Sequence, residues 1–234
     1  MFKRISSIVS ALALLMAFGF SHANAKSSKG AQVRVPLNIA ILIQDDLTSQ
    51  VANEIGVTKE FIRSLPAGSR VMVGYITSGR LQVRQSFTTD LNRAANSLRI
   101  PLASTSASAF NPYVEVREAL KKFDPSWKNN AVLLISDGLD VSRGFDSTAA
   151  GHTLDIDRAI SEANRRHVSI YSFYAPSVGL TSRSRLAASY GQSSLQRVAH
   201  ETGGRAFFQG STGFVTFDSH FRRLREELNR QYAS

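Results

Sequence analysis

The sequence predicts an α/β protein: a mostly parallel central sheet with one antiparallel edge strand and helices on both faces. Three observations predict it. Residues 39–43 (Ile-Ala-Ile-Leu-Ile) and 131–135 (Ala-Val-Leu-Leu-Ile) are unbroken apolar runs, the pattern of strands buried on both faces. Stretches with helical periodicity alternate with the strand-like ones, as parallel strands require. A two-residue turn, Ser78-Gly79, joins two strand-like segments, and so short a turn makes them antiparallel.

The elements follow in order. The first strand spans 37–43, with Pro36 at its start, where no ladder donor is needed. A helix is expected over 49–65, because Val51, Ile55, Ile62 and Leu65 fall in one stripe; Thr48 or Ser49 is placed to cap it, and Pro66-Ala67-Gly68 ends it. Residues 70–77 and 80–87 form the hairpin. The second of these strands carries polar and charged residues at alternate positions and reads as the sheet edge. Asp90 can cap a short helix over 91–98, closed by Pro101. A hydroxyl-rich loop at 103–112 leads to a helix at 113–123. After the strand at 131–135 come a loop rich in Gly, Ser and Asp, a helix at 154–166 and a strand at 168–174. A polar loop is expected at 176–190 and a helix at 192–201, ended by Gly203-Gly204. A short strand at 206–209 and an amphipathic helix over 215–232, with Phe217, Phe221, Leu224 and Leu228 facing inward, complete the chain.

Residues 1–25 stand apart. Lys3 and Arg4 precede a largely apolar stretch, and Ala23-Asn24-Ala25 is a small-residue cleavage site. A secretory signal cut after Ala25 is expected, with a polar linker at 26–34 and one domain over 35–234. The apolar stretch is short for a spanning helix, which needs about 20 residues, and no later stretch is long and apolar enough to span. The expected location is therefore periplasmic or extracellular. No cysteine is present, which excludes disulfides, a thiol nucleophile and a lipid anchor on cysteine. The formal charge is +10, or +8 once Lys3 and Arg4 are removed, and favours anionic partners without specifying one. No nucleic-acid-binding motif accompanies it.

Ligands of open α/β sheets bind outside the carboxyl ends of the strands. Two apolar runs end there in acidic loops: Gln44-Asp45-Asp46-Leu47-Thr48 and Asp137-Gly138-Leu139-Asp140. Together with the hydroxyl loop they offer hard oxygen ligands of the kind that suit Mg2+ or Ca2+. The structural alternative is that Asp45, Asp46 and Thr48 cap the first helix while Asp137 and Asp140 shape a turn.

At these residues the chain resembles the von Willebrand factor A domains, and more closely the related domains of bacterial exported proteins. The resemblance covers about 35–232. It rests on the order of elements, on Phe61-Ile62-Arg63-Ser64-Leu65-Pro66-Ala67-Gly68, on Leu133-Leu134-Ile135-Ser136-Asp137-Gly138, and on Thr202-Gly203-Gly204. It implies a Rossmann-like fold and non-catalytic protein binding at the carboxyl end of the sheet. It also implies a metal-ion-dependent adhesion site built from Asp-x-Ser-x-Ser, a Thr from a second loop and a later Asp. In this chain those positions fall on Gln44, Asp46 and Thr48, on Thr105 (or Ser106 or Ser108), and on Asp137. Gln44 stands where the family has Asp, and sliding the register by one residue would use Asp45. The resemblance thus implies Mg2+, or Ca2+ or Mn2+, at a degenerate site. Asp45, Ser106, Ser108, Asp140, Arg183 and Arg185 are the candidate partner contacts. Two other functions stay open: a basic module for an anionic envelope polymer, and a metal-dependent phosphoryl hydrolase using Asp45, Asp46 and Asp137. Against the second, the two aspartates are adjacent, and neither a nucleophile elbow nor a phosphate-binding glycine loop occurs.

Overall fold

The computed structural model describes residues 32–145, 153–208 and 215–233. The expected signal segment (residues 1–25) and most of the expected linker (26–34) lie outside the described residues. Six strands form one sheet: β1 (Asn38–Gln44), β2 (Arg70–Thr77), β3 (Arg80–Thr88), β4 (Asn130–Ser136), β5 (Val168–Tyr174) and β6 (Ala206–Phe207). Their order is β3-β2-β1-β4-β5-β6, and only the β2–β3 pair is antiparallel. Every residue of β1, β4 and β5 is buried, as the unbroken apolar runs require. The edge strand β3 instead alternates exposed and half-buried positions. Ser78 and Gly79 both take positive φ, the backbone of a tight hairpin turn.

Side chains alternate along each strand, so the sheet builds two cores. Ile39, Ile41 and Ile43 face one core with α1 (Ile55–Arg63), α2 (Leu91–Asn96) and α6 (Asp218–Tyr232). Ala40 and Leu42 face the other, with α3 (Pro112–Leu120), α4 (Leu154–Arg165) and α5 (Arg185–Glu201). Phe61 of α1 stacks on Phe221 of α6, and Phe221 packs edge-on against Phe173 of β5. Glu54, buried, accepts a hydrogen bond from the Phe217 N–H at 2.6 Å and so ties the first helical segment to the start of α6.

Two helices differ from expectation. Residues 49–54 form a 3-10 turn before α1, and neither the Thr48 side chain nor an aspartate caps it. The aspartates have closer partners, described below. Helix α5 starts at Arg185, not near 192, because the Ser184 hydroxyl accepts from the Ala187 N–H and caps it. The loop after β5 is accordingly shorter than predicted, and Gly191 lies inside the helix. An alanine Cβ there would come 1.9 Å from the Asp137 carbonyl oxygen, so the glycine lets α5 cross the end of β4 closely.

Candidate functional site

The strand order reverses between β1 and β4, which opens a crevice at their carboxyl ends. Gln44 ends β1 and Ser136 ends β4. The Gln44 side-chain carbonyl accepts from the Ser136 hydroxyl at 2.6 Å and from the Asp137 N–H at 3.2 Å. A backbone N–H can only donate, so this contact fixes the amide's orientation. The Gln44 nitrogen therefore faces the other way and donates to Asp46 Oδ1 at 2.8 Å. Asp137 is in turn held from both sides: Oδ1 accepts from the Leu139 N–H at 3.1 Å and Oδ2 from the Thr181 hydroxyl at 3.0 Å. A cavity of about 50 Å3 lies over this network, lined by Gln44, Asp46 and Asp137 below and by Ser108, Phe110 and Leu180 nearer its mouth.

Asp45 belongs elsewhere. Residues at the end of a strand point alternately to opposite sides, so Gln44 and Asp46 share the crevice and Asp45 turns away. Its carboxylate, fully buried, makes a two-pronged ion pair with Arg99 at 2.7 and 2.6 Å and accepts from the Leu102 N–H at 2.9 Å. Arg99 also lies over the Tyr75 ring at 4.1 Å. Asp45 thus anchors the 99–103 loop and presents no oxygen to a partner.

No family model matches the sequence, and no curated protein matches it. Solved structures do match. BatB from Bacteroides thetaiotaomicron aligns with a TM-score of 0.55 at 15% identity, over 84% of this chain and 100% of that one. An aerotolerance-related membrane protein from Bacteroides fragilis NCTC 9343, carrying multiple mutations to serine, aligns with a TM-score of 0.54 at 15% identity, over 83% of this chain and 99% of that one. Proximal thread matrix protein 1 of the mussel byssus gives 0.53 at 12% identity, over 84% of this chain and 49% of that one. Likeness at such identity is likeness of fold. The fold is von Willebrand factor A-like.

The positions of this von Willebrand factor A-like domain that align with the adhesion site come together only in part. Gln44, Asp46 and Asp137 line one cavity. The second-loop hydroxyl that joins them is Ser108. Thr105 opens a 3-10 turn, is exposed and does not line the cavity, and Ser106 faces Ser104 at 2.9 Å. The Thr48 hydroxyl is buried with no hydrogen-bond partner, while its N–H donates to the Pro176 carbonyl. Among the described residues, no three or more of His, Cys, Asp and Glu are grouped to hold a metal. The donor set does not suit a divalent cation. Such ions need several oxygen ligands and anionic charge, but the Gln44 oxygen is spent on Ser136 and Asp137, and an N–H2 group is aimed at Asp46. The amide supplies the bridge between the two loops that a cation would otherwise make.

Electrostatics agree with a closed network. Burial, with the Asp137 charge nearby, pushes the Asp46 carboxyl up from 3.8 to about 7. Burial also raises Asp137, against the lowering effect of its hydrogen bonds. Asp140 accepts from the Ser142 N–H and hydroxyl through Oδ1 and from Asn111 Nδ2 through Oδ2, so it shapes the loop after β4. Arg183 and Arg185 are exposed at the entry to α5.

Sequence reasoning missed Ser136, Thr181 and Gly191 around the crevice, and Arg99 as the partner that holds Asp45 away from it. Arg99 and Thr181 come from loops whose path no local pattern encodes. Ser136 sits inside the motif that carried the resemblance, and its place beside Asp137 was a usable signal.

Proposed function

We propose that this is an exported, non-catalytic protein-binding domain, which engages a protein partner through the loops at the carboxyl end of the sheet and without a resident metal. One observation carries the reading. Every large apolar side chain that is exposed among the described residues lies at that end: Ile100 and Leu102 beside Asp45, Phe110, Phe145, Leu154, Leu180, Leu186, and Phe208 just after β6. A soluble surface rarely gathers its exposed apolar groups on one face unless that face is covered by something. Among the described residues, the amino end of the sheet has no comparable ones. Export is supported by the basic, apolar and Ala-Asn-Ala sequence of residues 1–25. Among the described residues no helix is long and apolar enough to cross a membrane.

The test is site-specific photo-crosslinking in the producing cell. A benzophenone amino acid is placed at Phe110 or Leu180, and at exposed Lys122 beyond the carboxyl end of α3 as the control. The reading expects a discrete protein adduct from the first two positions and none from the third. Adducts of equal yield from all three, or none from any, would overturn it. Sequencing of the mature amino terminus should begin at Lys26.

A further inference from the structure

Around the start of α5 the exposed charge on this apolar face is positive. Arg183 and Arg185 flank the start of α5, between exposed Leu180 (39%) and Leu186 (51%). Arg143 is exposed in the loop after β4, and this loop lies against α5 through the Phe145–Tyr190 ring contact at 5.6 Å. None of these three arginines has a carboxylate within ion-pairing distance among the described residues, whereas many of the arginines on the helices do: Arg158, Arg165, Arg166, Arg197, Arg222 and Arg230 are all paired. Among the described residues, the carboxylates of the loops after β1 and β4 are withdrawn. Asp45 is bound by Arg99, Asp46 by Gln44, Asp137 by Leu139 and Thr181, and Asp140 by Ser142 and Asn111. What faces outward around the start of α5 is therefore apolar and cationic: the acidic residues of the 45–46 and 137–140 loops are turned inward, and the exposed acids at the starts of α4 and α6, Asp157 and Asp218, are paired with Arg197 and Arg222.

Building on the protein-binding reading, we infer that the partner presents an acidic polypeptide segment with a large apolar side chain. The apolar side chain seats against Phe110, Leu180 and Leu186, and the flanking carboxylates pair with Arg143, Arg183 and Arg185. The arginine fork favours carboxylates in a fixed, two-pronged geometry. Burying a large side chain beside it is the usual construction of an interface centre. The narrow cavity between Phe110 and Leu180 has a floor of buried carboxyls. At about 50 Å3 that cavity is too small to take an acyl chain, and its carboxyl floor repels a phosphate, whereas a side chain can rest on the apolar residues at its mouth; this favours a polypeptide over a lipid surface.

The test selects binders from a random 12-residue peptide library displayed on phage, using the folded chain 26–234. Wild type is compared with Arg183→Glu/Arg185→Glu and with Leu180→Ser/Leu186→Ser. All of these side chains are exposed, so the variants should fold, and circular dichroism with a melting curve checks that they do. The inference expects enrichment of Asp and Glu around a Leu, Ile, Phe or Trp. Affinity of a selected peptide should fall ~10-fold or more in either variant. A basic or uncharged consensus, or peptides indifferent to both variants, would overturn it even where photo-crosslinking at Phe110 succeeds, leaving the broader protein-binding reading standing. No enrichment over the bare support would overturn it as well. In parallel, vesicles of phosphatidylglycerol and phosphatidylcholine, and soluble polyphosphate, are titrated. Arginine-dependent binding to either, with no peptide enrichment, would replace the polypeptide by an anionic lipid or polymer.

Discussion

Replacing Asp46 with asparagine should make this protein more stable at pH 8. The oxygen that accepts from Gln44 is kept and the buried charge is removed. In the folded chain the Asp46 carboxyl titrates at about 7, whereas its ordinary value is 3.8. Between those values the folded protein holds a proton that the unfolded chain has released. That contribution to stability is complete below pH 3.8 and is lost as pH rises through about 7. A gap of about three pH units corresponds to ~4 kcal/mol at about 1.36 kcal/mol each. Asp46 and Asp137 repel one another and titrate together, so the expected gain at pH 8 is ~2–4 kcal/mol. His220 works in the opposite direction. Burial against Phe173, Phe207 and Phe217 holds its imidazole down from 6.5 to about 4, so its contribution is present above pH 6.5 and is lost as pH falls through about 4. The two windows overlap, and wild-type stability alone would look nearly flat across them. The informative quantity is the difference between variant and wild type. The assay is urea unfolding at pH 5, 6, 7 and 8, followed by fluorescence of Trp127, the only tryptophan. The difference should grow by ~2–3 kcal/mol from pH 5 to 8. A difference that does not change with pH, or a variant less stable than wild type at pH 8, would refute the reasoning. The same experiment tests the cation. If Mg2+ bound among Asp46 and Asp137 with a dissociation constant a hundredfold below the concentration used, it would add ~2.7 kcal/mol to wild type and nothing to Asp46→Asn. The Gln44 orientation predicts no such gain at 10-millimolar order, as it leaves no seat for the ion.

Other perturbations have equally definite outcomes. Arg99→Ala strands the buried Asp45 carboxylate and should cost ~3–5 kcal/mol in urea unfolding; adding Asp45→Asn should recover part of it, and a cost below ~1 kcal/mol would show that the pair is dispensable. Gly191→Ala drives a methyl into the Asp137 carbonyl and should cost ~2 kcal/mol or more. Gly56→Ala, with nothing within 4 Å of the new methyl, should instead stabilise α1 by ~0.5–1 kcal/mol, and thermal melting of both variants checks the contrast. His220→Phe should leave the Asp46 contribution unopposed, so that stability rises as pH falls from 6.5 to 4 where wild type is nearly flat; a variant profile as flat as that of wild type would refute the assignment.

Much of the fold was legible because its signals are local. An apolar run without alternation has one economical home, a strand covered on both faces, and β1 and β4 are buried throughout. Alternating charge along 80–87 could only belong to an edge, and β3 is one. The Ser78-Gly79 turn fixed an antiparallel pair by length alone. The places where local reading failed are those where a distant group competes for the same residue. Thr48 looked like a cap and is not, and Ser184 caps α5 several residues before the predicted start.

The sequence by itself determined which residues end β1 and β4, because strand ends follow from the hydrophobic pattern. It could not determine what those residues face. Asp45 and Asp46 are chemically identical neighbours. Strand alternation sends one to Arg99, 54 positions away, and the other to Gln44 and the crevice. Nor could it reveal that the Gln44 amide turns its nitrogen to Asp46, since this depends on the Asp137 N–H arriving from β4. Composition recorded a basic chain. Only the tertiary structure decided that the loop carboxylates turn inward while Arg143, Arg183 and Arg185 stay outside. The reason is physical: hydrophobic periodicity is written along the chain, but a polar side chain takes its role from the one donor or charge that packing brings within about 3 Å.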